Sequence, residues 1–135
     1  MKVLFVCTGN TCRSPMAQAL YQHAHPTDQV RSAGLAARAG EPAAVAARQV
    51  MQARGLSLES HRSVRLEEDL LDWADRVVVM SERHLQAIAN GWPEYLARVR
   101  LLKPGGSVAD PYGGDLAEYA ECADELEELL QHLDL

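Results

Sequence analysis

The chain has 135 residues, a formal net charge of −6 and an apolar content of 47%. This length fits one domain, which we expect to span residues 1–135 and to bury roughly two thirds of its unfolded surface. The apolar content allows a true core, so neither disorder nor a disulfide scaffold is required to explain the chain. The acidic balance argues against a nucleic-acid partner, because phosphate backbones are bound by clustered Lys and Arg.

Segments that would direct the chain into or across a membrane are not evident. The apolar run at residues 3–6 is too short for the core of a signal peptide, and no window approaches the length of a membrane span. The three cysteines, Cys7, Cys12 and Cys122, follow no regular framework, which is typical of free thiols in a reducing compartment. We therefore expect a cytoplasmic monomer without a membrane partner.

The first half of the sequence alternates between strand and helix patterns. A continuous apolar run at 3–6 predicts a strand buried on both faces, and Ser14-Pro15 fits the first turn of a helix. A second strand is expected over 29–32. A helix follows over 42–54, with Gly55 as its stop signal.

The second half continues the alternation. The segment DRVVVM at 75–80 predicts a buried strand, SERHLQAIANG at 81–91 a helix capped by Ser81, and RVRLL at 98–102 a fourth strand. Residues 103–114 form a long loop rich in Pro and Gly, and loops of this length are often functional. Residues 115–133 predict a helix whose acidic residues form a solvated face rather than a binding tail.

Alternating strands and helices predict an α/β fold, in which right-handed crossovers place helices on both faces of a parallel sheet. Ligands bind such sheets at the carboxyl ends of the strands. Cys7 lies at that end of the first strand, and the loop after it leads into a helix N-terminus. Because free N–H groups converge there, the sequence predicts an anion site around Cys7.

The loop sequence defines which kind of anion site this is. It lacks the G-x-x-x-x-G-K-[ST] pattern of a nucleotide P-loop and the G-x-G-x-x-G pattern of a dinucleotide site. Instead, Cys7 is followed after five residues by Arg13, whose guanidinium can hold two phosphoryl oxygens at once. Gly9 and Asn10 allow backbone angles closed to most residues, so that the loop can curl around one anion. We interpret Cys7 as a thiolate nucleophile that attacks phosphorus.

Three segments together carry a family resemblance. The segment VCTGNTCRSP resembles the C-x5-R-[ST] signature of the low-molecular-weight protein tyrosine phosphatases, and SAG at 32–34 and DPYGG at 110–114 are similar to further elements of that family. The resemblance spans nearly the whole chain. It implies a flavodoxin-like three-layer fold with a four-stranded parallel sheet, and a protein phosphatase without a metal or other cofactor.

The resemblance also implies roles for single residues. Cys7 is the nucleophile that forms a phosphocysteine, Arg13 binds the phosphoryl group, and Asp110 is the general acid and base. Ser14 supports the thiolate, and Ser32 braces the loop asparagine. The expected contacts to the substrate or to inorganic phosphate, or another oxyanion in the loop, come from Thr8, Gly9, Asn10, Thr11, Cys12, Ser14 and Tyr112.

The reaction independently requires a group such as Asp110. The leaving group needs a proton when phosphorus is transferred to Cys7, and the water that later attacks the phosphocysteine must lose one. One carboxyl can serve both steps, and Tyr112 can form an aromatic wall of the pocket. Alone, the segment ADPYGG would be read as an ordinary Asp-Pro turn.

Alternatives remain for the thiols and for the reaction. Cys12 can form a reversible disulfide with Cys7 or can simply be a small packed residue. An arsenate reductase of related fold needs resolving cysteines, which the middle of the chain lacks. A phosphocysteine carrier module requires neither Arg13 nor Asp110, and a phosphate-binding domain without activity does not require Asp110.

The substrate residue is predicted from two positions. Tyrosine-directed members of the family usually carry a bulky aliphatic residue at the place of Thr11 and often a second aromatic residue at the place of Gly113. Here Thr11 and the DP-aromatic-GG segment are similar to the bacterial protein arginine phosphatases. We therefore favour a phosphorylated protein substrate with phosphoarginine, and place phosphotyrosine second.

Overall fold

The computed structural model describes all 135 residues. The strands and helices, in chain order, are β1 Lys2–Cys7, α1 Arg13–Ala24, β2 Gln29–Gly34, α2 Val45–Ala53, α3 Glu68–Trp73, β3 Arg76–Val79, α4 Glu82–Gly91, β4 Val99–Leu101 and α5 Leu116–Gln131. A short 3-10 helix, Pro93–Arg98, precedes β4. The four strands form one parallel sheet in the order β2-β1-β3-β4.

Helices cover both faces of the sheet, because β1 is apolar on both sides. Val3 and Phe5 pack in one core with residues of α1, α2 and α5, whereas Leu4 and Val6 pack in a second core with residues of α3 and α4. The three layers confirm the predicted flavodoxin-like α/β fold. No helix combines the length and apolar character needed to cross a membrane.

The sheet brings three distant segments to one edge. Cys7 is paired with Gly34 at the carboxyl ends of β1 and β2. The loop at 103–114 reaches the same edge, since the Val108 N–H donates a hydrogen bond to the Met80 carbonyl just after β3, at 2.8 Å. The cysteine loop and the Asp110 loop therefore lie side by side.

The main differences from the expectations, beyond shifts of one or two residues at strand ends, concern helices. Helix α2 begins at Val45 rather than Pro42, because Ala44 is extended and its N–H donates to the Thr11 carbonyl at 2.9 Å. Helix α5 ends at Gln131, two residues before the expected end. The sequence pattern does not predict α3, because six residues are too few to show a helical period.

Candidate active site

Cys7 lies at the floor of the site with its thiol held from two sides. Its residue surface is 2% exposed. The Asn10 N–H donates to Cys7 Sγ at 3.3 Å, and Ser14 Oγ lies 2.9 Å from the same sulfur. A thiolate can only accept hydrogen bonds, so both groups suit a nucleophilic sulfur at this position.

The Asn10 side chain ties the loop to its surroundings. Its amide nitrogen donates to Ser14 Oγ at 2.7 Å and to Ser32 Oγ at 2.9 Å, and its amide oxygen accepts from the Val64 N–H at 2.8 Å. Ser32 in turn donates to Gln18 Oε1 at 2.7 Å. Because Ser14 Oγ accepts from Asn10, its own hydrogen is free to point at Cys7. The structure thus places Ser32 against the loop asparagine, as expected.

The loop backbone turns at Asn10 rather than at Gly9. Asn10 has a φ of 58°, in the left-handed region, whereas Gly9 does not use a positive φ. The turn therefore uses the tolerance of Asn for the left-handed region, which rests on local hydrogen bonds, and not the wider freedom of Gly9. His61, which the sequence reading did not single out, donates from Nε2 to the Asn10 carbonyl at 2.7 Å. Burial lowers the pKa of His61 and keeps this donor neutral.

Gly34, in the segment SAG, allows the loop to approach the sheet. A Cβ at this position would lie 2.6 Å from the Thr8 carbonyl oxygen and 2.9 Å from the Asn10 nitrogen. Both neighbours are backbone atoms of the cysteine loop and cannot move aside. A side chain at Gly34 would therefore displace the loop that surrounds the anion site.

Arg13 links the two halves of the site. It is 6% exposed, its Nη1 donates to the Val108 carbonyl at 2.9 Å, and its Nη2 lies 3.6 Å from Asp110 Oδ2. Helix α1 begins at this residue, and its N-cap, Cys12, provides no side-chain hydrogen bond to the first turn. Backbone N–H groups at this helix end thus remain available to an anion.

Asp110 lies across the cavity from Cys7 on the long loop. Its side chain is 49% exposed, and Asp110 Oδ1 accepts from the Tyr112 N–H at 3.1 Å. Tyr112 itself is 75% exposed, so its ring stands free at the cavity mouth. A carboxyl with one face on Arg13 and the other on solvent can exchange protons with a leaving group and with water.

These residues surround one open cavity of about 420 Å³. Three of its residues were not predicted, because no motif marks them: Ala36, Arg38 and Glu41. The rim that carries them is fixed by Ser63, which donates to the Arg38 carbonyl and exchanges backbone and side-chain hydrogen bonds with Glu41. The predicted residues that line the cavity are Cys7, Thr8, Gly9, Thr11, Cys12, Arg13, Asp110 and Tyr112.

Comparison with known proteins assigns the chain to a family. Residues 2–134 match the family model described as low molecular weight phosphotyrosine protein phosphatase. The chain belongs to this family. It is therefore a phosphatase, and the family resemblance predicted from its motifs is confirmed.

The relatives of this phosphatase are named for two different substrates. The chain is 41% identical to a protein-arginine-phosphatase of Geobacillus stearothermophilus, over 98% of this chain and 93% of the relative. It is 40% identical to the low molecular weight protein-tyrosine-phosphatase Wzb of Salmonella typhi, over 82% of this chain and 76% of the relative. A structure of a cysteine-to-serine mutant of the YwlE arginine phosphatase, in which the active-site serine is phosphorylated, superimposes with a TM-score of 0.91 at 40% identity, covering 97% of this chain and 91% of that one.

The other two cysteines of this phosphatase lie in unreactive surroundings. Burial raises the pKa of the Cys12 thiol, although its contact with the Tyr119 hydroxyl at 3.2 Å acts in the opposite direction. Burial raises the pKa of Cys122 to about 12. Thiols that remain protonated react slowly with disulfides and oxidants. The Cys7–Cys12 disulfide stays a prediction.

A buried histidine gives the fold of this phosphatase a defined acid sensitivity. Burial, followed by repulsion from Arg13, lowers the pKa of His84 from 6.5 to about 4. At pH values between these two pKa values, His84 binds a proton in the unfolded chain but not in the folded chain. Lowering the pH therefore favours unfolding. Relative to His84→Gln, the wild type should lose roughly 3 kcal/mol of unfolding free energy between pH 7 and pH 4.

Urea unfolding of both proteins across this pH range measures the effect. The glutamine variant is the matched reference because it retains a polar side chain and loses only the titrating group. A difference between the two proteins that stays constant with pH would contradict the assignment to His84.

Proposed function

We propose that this phosphatase removes phosphoryl groups from arginine side chains of proteins, through a phosphocysteine on Cys7. The observation that carries the proposal is the facing arrangement of the Cys7 thiol, the Arg13 guanidinium and the Asp110 carboxyl around one cavity. Each role that the reaction needs is then filled by a residue of the appropriate chemistry. The YwlE structure with a phosphorylated active-site serine supports a covalent route in a relative.

The first step transfers the phosphoryl group to sulfur. The Cys7 thiolate forms a bond to phosphorus while the bond from phosphorus to the guanidine nitrogen breaks. Arg13 and the loop N–H groups hold the phosphoryl oxygens, where negative charge is concentrated. Asp110 donates a proton to the departing nitrogen, so that a neutral or protonated guanidine leaves rather than an anion.

The second step releases the enzyme. The Asp110 carboxylate, which has lost its proton, accepts one from a water molecule as that water attacks phosphorus. The bond from phosphorus to sulfur breaks, the Cys7 thiolate is regenerated, and inorganic phosphate is released. Asp110 is protonated again and ready for the next substrate.

The cavity mouth favours a guanidinium over a flat phenol ring. Thr11 provides a hydroxyl group at the wall, where a phosphorylated guanidine needs partners for its N–H groups. Gly113 follows Tyr112 without a second aromatic ring. Phosphotyrosine is the second candidate, because the exposed Tyr112 ring can stack on a phenol.

The remaining thiols argue against the alternative of an arsenate reductase. A reductase must pass a disulfide from Cys7 to resolving thiols, which attack as thiolates. Cys12 is buried beside Tyr119, and Cys122 has a pKa of about 12. These surroundings favour hydrolysis by water over relay between thiols.

We further propose that residues 1–135 act as a single catalytic domain, monomeric and cytoplasmic, and that catalysis needs no cofactor. The same cavity that takes the phosphoryl group would bind inorganic phosphate or another oxyanion as a competitive inhibitor. The family match over residues 2–134 supports the single domain, since one family model accounts for almost every residue.

Substitution of Thr11 tests the choice of substrate. Thr11→Ile removes a hydroxyl and adds an apolar wall, against which a guanidinium must lose water without compensation. We expect the ratio of kcat/KM for phosphoarginine over phosphotyrosine peptides to fall by about one to two powers of ten. Thr11→Ser, which keeps the hydroxyl, is the control and should leave the ratio within about threefold of the wild type. An unchanged ratio in Thr11→Ile would remove Thr11 from substrate selection.

A further inference from the structure

A buried histidine contacts the first residue of the cysteine loop. His84 Nε2 lies 2.9 Å from Thr8 Oγ1, and this histidine is the only hydrogen-bond partner of the Thr8 hydroxyl within the protein. Thr8 is otherwise exposed and lines the cavity directly after Cys7. His84 therefore occupies one hydrogen-bonding position of the Thr8 hydroxyl. The other positions face the cavity in which the substrate would bind.

The position of His84 is held by the start of α4. The residue is 5% exposed, and its N–H donates to the N-cap hydroxyl of Ser81 at 3.3 Å. Its second ring nitrogen, Nδ1, is buried and has no hydrogen-bond partner. A buried polar atom without a partner requires an explanation, and it restricts which tautomer the ring adopts.

The unpartnered nitrogen determines the direction of the hydrogen bond. A buried N–H without an acceptor is rarer and less favourable than a buried acceptor without a donor. The neutral ring thus keeps its hydrogen on Nε2, and Nε2–H donates to Thr8 Oγ1. The hydroxyl hydrogen of Thr8 is then excluded from the histidine side and turns toward the cavity.

The surroundings keep this ring neutral. Burial is the main reason that the pKa of His84 falls to about 4, and Arg13 and Arg83 lower it further. Asp110 acts in the opposite direction but does not offset them. At neutral pH the ring is therefore a single donor with a fixed tautomer.

We propose that His84 is a positioning residue of the active site, which orients the Thr8 hydroxyl so that it donates a hydrogen bond to an oxygen of the bound phosphoryl group. Thr8 is then a binding residue through its side chain as well as through its place in the loop. The inference rests on the proposed phosphoryl transfer at Cys7. It does not depend on whether the phosphorylated residue is arginine or tyrosine.

A double-mutant cycle on nitrophenyl phosphate tests the pair, because this substrate contains the phosphoryl group without either side chain. Thr8→Val and His84→Leu should each lower kcat/KM about tenfold, the loss of one hydrogen bond to a charged group. Each should also raise the inhibition constant of inorganic phosphate. Because His84 acts through Thr8, the double variant should be no worse than Thr8→Val alone. Thr8→Ser and His84→Gln, which keep the hydroxyl and an N–H donor, should recover most of the activity.

The double-mutant cycle distinguishes a positioning role of His84 from a purely structural one. Losses that multiply to about a hundredfold in the double variant would overturn the proposal, as would full activity in Thr8→Val. Leu85→Ala, which weakens the packing of α4 without touching Thr8, should lower the thermal midpoint but leave kcat/KM unchanged.

Two further measurements keep the test decisive. Nitrogen NMR of the wild type should show the His84 hydrogen on Nε2; a hydrogen on Nδ1 would overturn the proposal even if His84→Leu fails to fold. A wild type that hydrolyses nitrophenyl phosphate but not phosphoarginine peptides would contradict only the proposed substrate. A wild type that hydrolyses neither phosphate esters nor phosphoarginine peptides would instead contradict the proposed function and, with it, the role of this pair.

Discussion

Replacement of Cys7 by serine should reduce turnover by on the order of 10⁴ or more, as expected when a covalent nucleophile is removed. The serine hydroxyl would occupy the same floor position beside Asn10 and Ser14, but it would remain protonated and attack phosphorus poorly. The fold should persist, because the change replaces one small buried side chain by another. Steady-state kinetics on nitrophenyl phosphate measures the loss, and the thermal midpoint measures the fold.

Cys122→Ser is the matched control for this experiment. It makes the same chemical change at a buried thiol on α5 that does not line the cavity of Cys7, Arg13 and Asp110. We expect most of the activity to remain. Wild-type turnover in Cys7→Ser would exclude the phosphocysteine route, and equal losses in both variants would show that neither thiol is the specific nucleophile.

Replacement of Asp110 by asparagine should lower the rate by on the order of 10²–10⁴, the usual contribution of a general acid. Asparagine preserves the shape of the side chain but has no acidic proton to transfer to the leaving group. The loss should grow as the leaving group becomes more basic, so phenyl phosphate should suffer more than nitrophenyl phosphate. Nitrophenolate leaves readily without a proton.

Rates of the first step, measured in single-turnover experiments on both esters, provide this comparison. An equal loss for the two esters would show that Asp110 does not protonate the leaving group. Tyr112→Phe is a useful control on the same loop, because it keeps the ring at the cavity mouth and should affect both esters similarly.

The parts of the site that lie close together in sequence could be predicted. The strand that ends at Cys7, the loop after it and the helix that opens at Arg13 follow each other without interruption. Their pattern predicts both the anion site and the nucleophile. Asp110 was predicted from the chemistry and the family motif, and the parallel sheet brings its loop to the expected edge.

The supporting contacts could not be predicted, because they join residues far apart in the chain. His61 and His84 bond to the cysteine loop across 51 and 76 positions, and neither belongs to a recognisable motif. Ser63 holds the rim in the same way. Such contacts depend on strand order and on loop paths, which periodicity does not encode. For the same reason α2 starts late, since Ala44 bonds to Thr11 instead of beginning the helix.

The most direct test of the proposed function compares two peptides that differ only at the phosphorylated residue, which is phosphoarginine in one and phosphotyrosine in the other. The measurement is kcat/KM of the wild-type protein on each peptide at neutral pH. We expect a clear preference for phosphoarginine, with hydrolysis of both peptides abolished in Cys7→Ser. A preference for phosphotyrosine would contradict the proposed substrate, and hydrolysis of either peptide by Cys7→Ser at the wild-type rate would contradict the mechanism.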